Sequence, residues 1–179
     1  MNPAANLILV GPTGAGKSCI GRRLAEHFDL RLADCDRAIE QQTGASVATI
    51  FECEGEAGFR ERESAMLAEL LADDGVLVAT GAGAVLDAAN RALLRRRGYV
   101  VHLQVTPARQ LERLARDHTR PLLQRHDRDE VLRSMAVART PLYREVADLE
   151  FDTEGLEAAE AAARLALELG RRWQRGAAA

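Results

Sequence analysis

The chain has 179 residues, 47% of them apolar, 28% charged, with a formal net charge of −3; this is enough for one cored domain (1–179) and leaves little room for a second. A pI near 5.9 argues against a protein that grips nucleic acid through a basic face. No apolar run approaches the ~20 residues that span a bilayer, and no leader-like segment opens the chain, so a cytoplasmic protein without membrane or nucleic-acid partners is expected.

Residues 6–10 form an apolar run that reads as a buried strand. It leads into Gly11-Pro12-Thr13-Gly14-Ala15-Gly16-Lys17-Ser18, a complete G-x-x-x-x-G-K-S loop. Ile20, Leu24 and Phe28 then mark one face of a helix. Strand, glycine turn and helix in this order form a phosphate cradle: inward-facing N–H groups and a helix N-terminus favour anionic oxygens, and the Ser18 hydroxyl is a candidate ligand for Mg²⁺. Lys17 is the only lysine among 24 basic side chains, the rest being arginine. A compact ammonium on a flexible stem suits the β/γ-phosphates of a nucleotide better than a planar fork does.

A second strand over 30–33 ends at Asp34-Cys35-Asp36, which puts two acids at a strand's C-terminal edge, where ligands of α/β folds bind. Each acid also suits capping of the next helix, expected over 37–42 and stopped at Gly44. Ser46 caps a further helix carrying Val47, Ile50 and Phe51. A charged helix over 54–71 follows, with Phe59, Met66, Leu67 and Leu70 as its apolar face.

Residues 76–79 form a third strand, ending in the Gly-rich turn Thr80-Gly81-Ala82-Gly83-Ala84. The segment 91–97 reads as the solvated basic end of a helix. A strand over 99–105 precedes a helix opened by Thr106 as cap and Pro107 in the first turn. The stretch 117–128 is polar and positive, with Arg120, Arg125, Arg128, His118 and His126 around Pro121, and reads as a loop. A helix over 129–143, a strand near 149–151 and a helix over 156–173 complete the chain, and residues 176–179 form a frayed tail. Alternating strands and helices predict a parallel sheet covered on both faces.

Cys19, Cys35 and Cys53 are odd in number and lack C-x-x-C spacing, so they read as small buried residues rather than a disulfide or zinc framework. His27, His102, His118 and His126 share no ligand spacing and read as satisfied or surface residues. No second lysine exists for an N-K-x-D guanine motif. The strand 76–79 runs into Gly81 rather than a Walker-B acid, which favours a small-molecule kinase over a motor or transporter.

Six segments in order (G-P-T-G-A-G-K-S, the D-C-D at 34–36, Gly58-Phe59-Arg60, Gly81-Ala82-Gly83, Arg120-Pro121-Leu122 and Arg139-Thr140-Pro141-Leu142-Tyr143) give a chain that resembles the shikimate kinases over essentially its whole length. The resemblance implies a three-layer α/β/α P-loop kinase fold with a five-stranded parallel sheet, a substrate-binding segment over 35–62 and a mobile lid over 115–128. It implies a monomer that moves the γ-phosphoryl group of ATP, with Mg²⁺, to the 3-hydroxyl of shikimate. Gly14, Ala15, Gly16, Lys17, Ser18 and Cys19 correspond to the nucleotide loop, Arg113 to an arginine flanking adenine, and Arg120 to a lid arginine over the phosphates. For Arg113 a solvated helix position is the alternative; Arg109, Arg116, Arg125 and Arg128 read as solvated outright.

Arg60 and Arg139 match the clamp for the substrate carboxylate. Asp36 matches the acid that accepts the ring hydroxyls and serves as candidate base. Asp34 matches a group facing Mg²⁺ through water, and Gly81, Ala82 and Gly83 match the substrate-contacting turn. The family's usual third glycine is replaced by Ala82, which tolerates an N–H contact but resists a positive φ. Cys19 replaces a common Thr. The segment Asp152-Thr153-Glu154 supplies no evident basic contact to adenine. Gluconate kinases and nucleoside-monophosphate kinases share the loop, and a non-catalytic ATP-binding module is the rival from another class.

Overall fold

The computed structural model describes residues 4–114 and 127–174. Five strands, β1 (Asn6–Val10), β2 (Arg31–Asp34), β3 (Val76–Ala79), β4 (Gly98–Gln104) and β5 (Leu149–Asp152), form one parallel sheet of order β2-β3-β1-β4-β5. The registers Leu9↔Ala79, Asp34↔Ala79, Val10↔His102 and Gln104↔Asp152 bring the five C-terminal ends to a common edge. The nucleotide loop, the two acids and the glycine turn all follow those ends, because parallel strands return every crossover to the same side.

Side-chain alternation divides the core into two layers. Leu7 and Leu9 face α1 (Lys17–Phe28) and α7 (Ala158–Arg172), packing with Ile20, Leu24, Leu165 and Leu169. Ile8 and Val10 face the other way, against Phe59, Leu67, Leu94, Tyr143 and Val146. Those residues lie on α3 (Val47–Leu70), α4 (Ala88–Arg97) and α6 (Arg128–Val146). Strands buried on both faces read as continuous apolar runs, which is why 6–10 and 76–79 were legible without alternation.

The expected helices at 37–42 and 106 onward appear as α2 (Cys35–Thr43), closed by Gly44 at φ 69°, and α5 (Pro107–Leu114). The two helices expected around residue 54 are the two segments of α3, which meet at a kink where Gly55 has a non-helical φ of 71° and ψ of −177°. Glu54 and Arg62 bridge that break with bonds of 2.7 and 2.8 Å. The expected lid overlaps the description only at residues 127 and 128; Arg120, His118, His126, Arg116 and Arg125 lie outside the described residues, as does the tail 176–179.

Three local expectations need correction. Arg91 and Arg97 are not merely solvated: Arg97 donates to the carbonyls of Leu71 (2.7 Å) and Ala72 (2.8 Å), closing the C-terminus of α3, and Arg91 donates to the Val85 carbonyl at 2.9 Å. Orphan carbonyls at helix and turn ends recruit the nearest cation. Of the cysteines only Cys35 is buried, while Cys19 and Cys53 are exposed. His102 is 2% exposed, and its Nδ1, 3.8 Å from Glu150 Oε2, has no hydrogen-bond partner among the described residues, so that nitrogen is neither at the surface nor satisfied. Among the described residues no helix is long and apolar enough to cross a membrane.

Candidate active site

The phosphate loop joins β1 to α1 with Gly14 at φ 81° and Gly16 at φ 91°. These left-handed conformations are what its glycines supply. Lys17 Nζ donates to the carbonyls of Gly11 (2.7 Å) and Pro12 (2.9 Å), which keeps the ammonium against its own loop. Ser18 Oγ donates to Asp34 Oδ2 at 2.5 Å, so the two residues expected to face the metal are in contact. A hydroxyl and a carboxylate are hard oxygen donors and suit Mg²⁺, which takes one or two protein oxygens and keeps much of its water. Asp34 Oδ1 also accepts the Arg37 N–H at 3.3 Å, capping α2. Of the two readings offered for Asp34, the cap is thus observed.

Behind the loop, α5 holds it in place. Gln110, 2% exposed, donates from Nε2 to the Thr13 carbonyl at 2.7 Å. Arg113 donates to the Gly14 carbonyl (3.0 Å), to Thr153 Oγ1 (3.1 Å) and to the Thr153 carbonyl (2.8 Å). The solvated alternative for Arg113 is therefore excluded. Arg128 is exposed, and Arg109 pairs with Glu112 at the surface.

Beside the loop, Asp36, Arg60, the 81–83 turn and Arg139 converge. A Cβ on Gly81 would fall 3.1 Å from Asp36 Oδ1 and one on Gly83 would fall 2.3 Å from Arg60 Nη2, so both side chains press against glycine backbone. Neither glycine has a positive φ, and nor does Ala82. The turn thus requires close approach at 81 and 83 and no unusual conformation at 82, where alanine meets no strain. Arg139 belongs to the same cluster, since its charge acts on both Glu63 and Tyr143.

Glu63 was not singled out from the sequence. It is 0% exposed and accepts from Arg60 Nη1 at 2.6 Å, while Arg60 also reaches Glu56 at 3.2 Å. Burial pushes the Glu63 carboxyl above its ordinary range, with Arg60 pulling it back and Asp36 adding to the rise. Burial opposes the Arg60 charge, but Glu63 and Glu56 outweigh it and hold the guanidinium above its usual value. A signal was available: Glu63 interrupts the apolar stripe of Phe59, Met66, Leu67 and Leu70, and it stands three residues after Arg60, where helix side chains meet. Burial also drives the Cys35 thiol up, away from reactivity.

A phosphate loop on the central strand of a 2-3-1-4-5 parallel sheet, with acids and arginines gathered at the adjoining edge, defines a P-loop phosphotransferase. The family model described as shikimate kinase matches residues 13–169. A shikimate kinase of Stenotrophomonas maltophilia is 60% identical over 175 residues, covering 98% of this chain and 97% of the relative. One from Xanthomonas campestris is 58% identical, covering 97% of each chain. The solved shikimate kinase of Acinetobacter baumannii in complex with shikimate superposes with a TM-score of 0.89 at 44% identity, covering 94% of this chain and 95% of that one. The chain belongs to the shikimate kinase family, ATP-dependent phosphotransferases whose acceptor is a hydroxyl of shikimate.

Proposed function

We propose that this chain phosphorylates shikimate at its 3-hydroxyl and divides the work among the residues gathered at the sheet edge. Lys17 and the loop N–H groups hold the β- and γ-phosphates of ATP. Ser18 and, through water, Asp34 would hold Mg²⁺. The ion, when bound, neutralises phosphate charge. Arg60 and Arg139 take the shikimate carboxylate, and the 81–83 turn supports the ring.

Asp36 accepts the proton of the 3-hydroxyl as that oxygen bonds to the γ-phosphorus and the bond to the β,γ-bridging oxygen breaks, releasing ADP. Arg113 serves the adenine end of ATP, and Arg120 is assigned the neutralisation of phosphate charge. Most of the rate enhancement then comes from positioning and charge neutralisation rather than covalent chemistry.

The observation that supports this reading is the convergence of Asp36, Arg60 and Arg139 on one glycine turn beside the phosphate loop. An anionic polyol needs a cationic clamp at one end and an oxygen acceptor at the other. The test is ADP release with ATP and Mg²⁺ across shikimate, quinate, gluconate, CMP and AMP, against a no-acceptor control. Turnover with shikimate far above the others is expected. Preference for another acceptor would move the substrate assignment, and ADP release independent of every acceptor would refute it.

A further inference from the structure

Tyr143 was part of the Arg139-to-Tyr143 motif, yet nothing in the chemistry above uses it. Its side chain is buried at 2% exposure on α6, one helical turn beyond Arg139. The ring lies against His102 of β4, with centroids 5.0 Å apart and planes tilted by 31°. The hydroxyl donates to the Ala82 carbonyl at 2.5 Å, and the Arg139 guanidinium acts electrostatically on the same group. One phenol therefore joins α6 to the turn that follows β3, and its single proton is committed to that turn.

Peptide planarity extends the effect of this bond. The Ala82 carbonyl and the Gly83 N–H belong to one rigid trans unit and point in opposite directions. Tying the carbonyl to Tyr143 therefore aims the Gly83 N–H away from Tyr143. Arg139 stands one helical turn before Tyr143 on α6, and its charge acts on the same hydroxyl. Burial pushes the Tyr143 hydroxyl up to about 12, with Arg139 opposing the rise, so the phenol stays protonated and keeps donating.

We propose that Tyr143 is a positioning residue for the acceptor: its hydroxyl sets Arg139 and the 82–83 peptide in register, so that both meet the substrate from fixed directions. This rests on the reading that Arg139 and the 81–83 turn form the acceptor site.

The experiment compares Tyr143→Phe, Arg139→Ala, their double variant and Val146→Ala in steady-state kinetics, with thermal denaturation of each. Val146 is a buried neighbour on the same helix and serves as a control for destabilisation alone. Tyr143→Phe keeps the ring and its stacking while removing the bond to Ala82 and the hydroxyl on which Arg139 acts. It is expected to raise KM for shikimate about tenfold, a loss on the scale of one buried hydrogen bond. KM for ATP should hold within twofold, and the effect should largely vanish when Arg139 is already alanine, because coupled residues are not additive.

An unchanged KM for shikimate in Tyr143→Phe, an equal rise in Val146→Ala, or full additivity with Arg139→Ala overturns the proposal. If Arg139→Ala itself leaves the KM for shikimate unchanged, the acceptor-site reading fails and the proposal falls with it. If Arg139→Ala raises it and Tyr143→Phe does not, only the positioning role is lost.

Discussion

Gly83→Ala separates backbone strain from side-chain displacement. Gly83 sits at φ −95° and ψ −1°, where alanine is at ease, so the backbone gives no reason for glycine. The new methyl would fall 2.3 Å from Arg60 Nη2 and 2.4 Å from its Cζ. To regain an ordinary contact of 3.4 Å the guanidinium must retreat by roughly 1.1 Å, the difference from 2.3 Å. That retreat pulls on the 2.6 Å bond to Glu63, a carboxylate with no exposure to water through which to relax.

Partial loss of a charge-assisted bond costs about 1–2 kcal/mol, offset by about 0.4–1 kcal/mol from a stiffer unfolded chain. For a domain of this size the thermal midpoint should fall by no more than about 6 °C. Catalysis should suffer far more: a misplacement of ~1 Å in a positioning group costs on the order of 100-fold in kcat/KM. A coupled ADP-release assay, titrating shikimate at saturating ATP, reads this directly, and Ala82→Gly should stay within about threefold of the parent. A Gly83→Ala enzyme with unchanged kcat/KM would show that Arg60 is not held against this turn during turnover, and the clamp assignment would fail.

Lys17→Met should abolish acceptor-dependent ADP release while circular dichroism and thermal midpoint stay near the parent, since the ammonium's bonds to the Gly11 and Pro12 carbonyls lie within its own loop; retained turnover would refute the nucleotide-loop assignment. His102 gives a pH prediction. Burial lowers its ordinary value of 6.5 to about 4; Glu150 on β5 opposes this, and Arg144 on α6 and Lys17 on α1 assist it, with Tyr143 packed on the ring. A depressed value means stability that is present above 6.5 and lost as pH falls through about 4, worth about 3 kcal/mol. His102→Gln should flatten the pH dependence of urea unfolding between pH 6.5 and 4 by that amount, and superimposable slopes in the two proteins would rule the assignment out.

Every expected strand and most helices could be read from the sequence because their signals are local. The runs 6–10 and 76–79 are apolar without break, Gly44 stops α2 and Ser46 starts α3, accepting the Thr49 N–H at 3.1 Å. The phosphate loop was equally plain, since its glycines, lysine and serine are contiguous and their chemistry depends on a turn of eight residues.

What the sequence left open was which polar side chains would be buried and against what. Glu63 looks like any helix glutamate until α3 turns it inward beneath Arg60 and the 81–83 turn. Gln110 meets Thr13 across 97 residues, Tyr143 meets Ala82 across 61, and Arg97 closes α3 across 26. Ala82 raised a concern about φ that the fold removes, because closeness at 81 and 83 governs the turn. The sequence alone determined the elements, their order and the phosphate chemistry, because each depends on residues within a few positions of one another. Only the tertiary structure decided which polar side chains are buried around the 81–83 turn and what they bond, because charges and carbonyls find partners across the sheet edge, and no local pattern records a bond between distant segments.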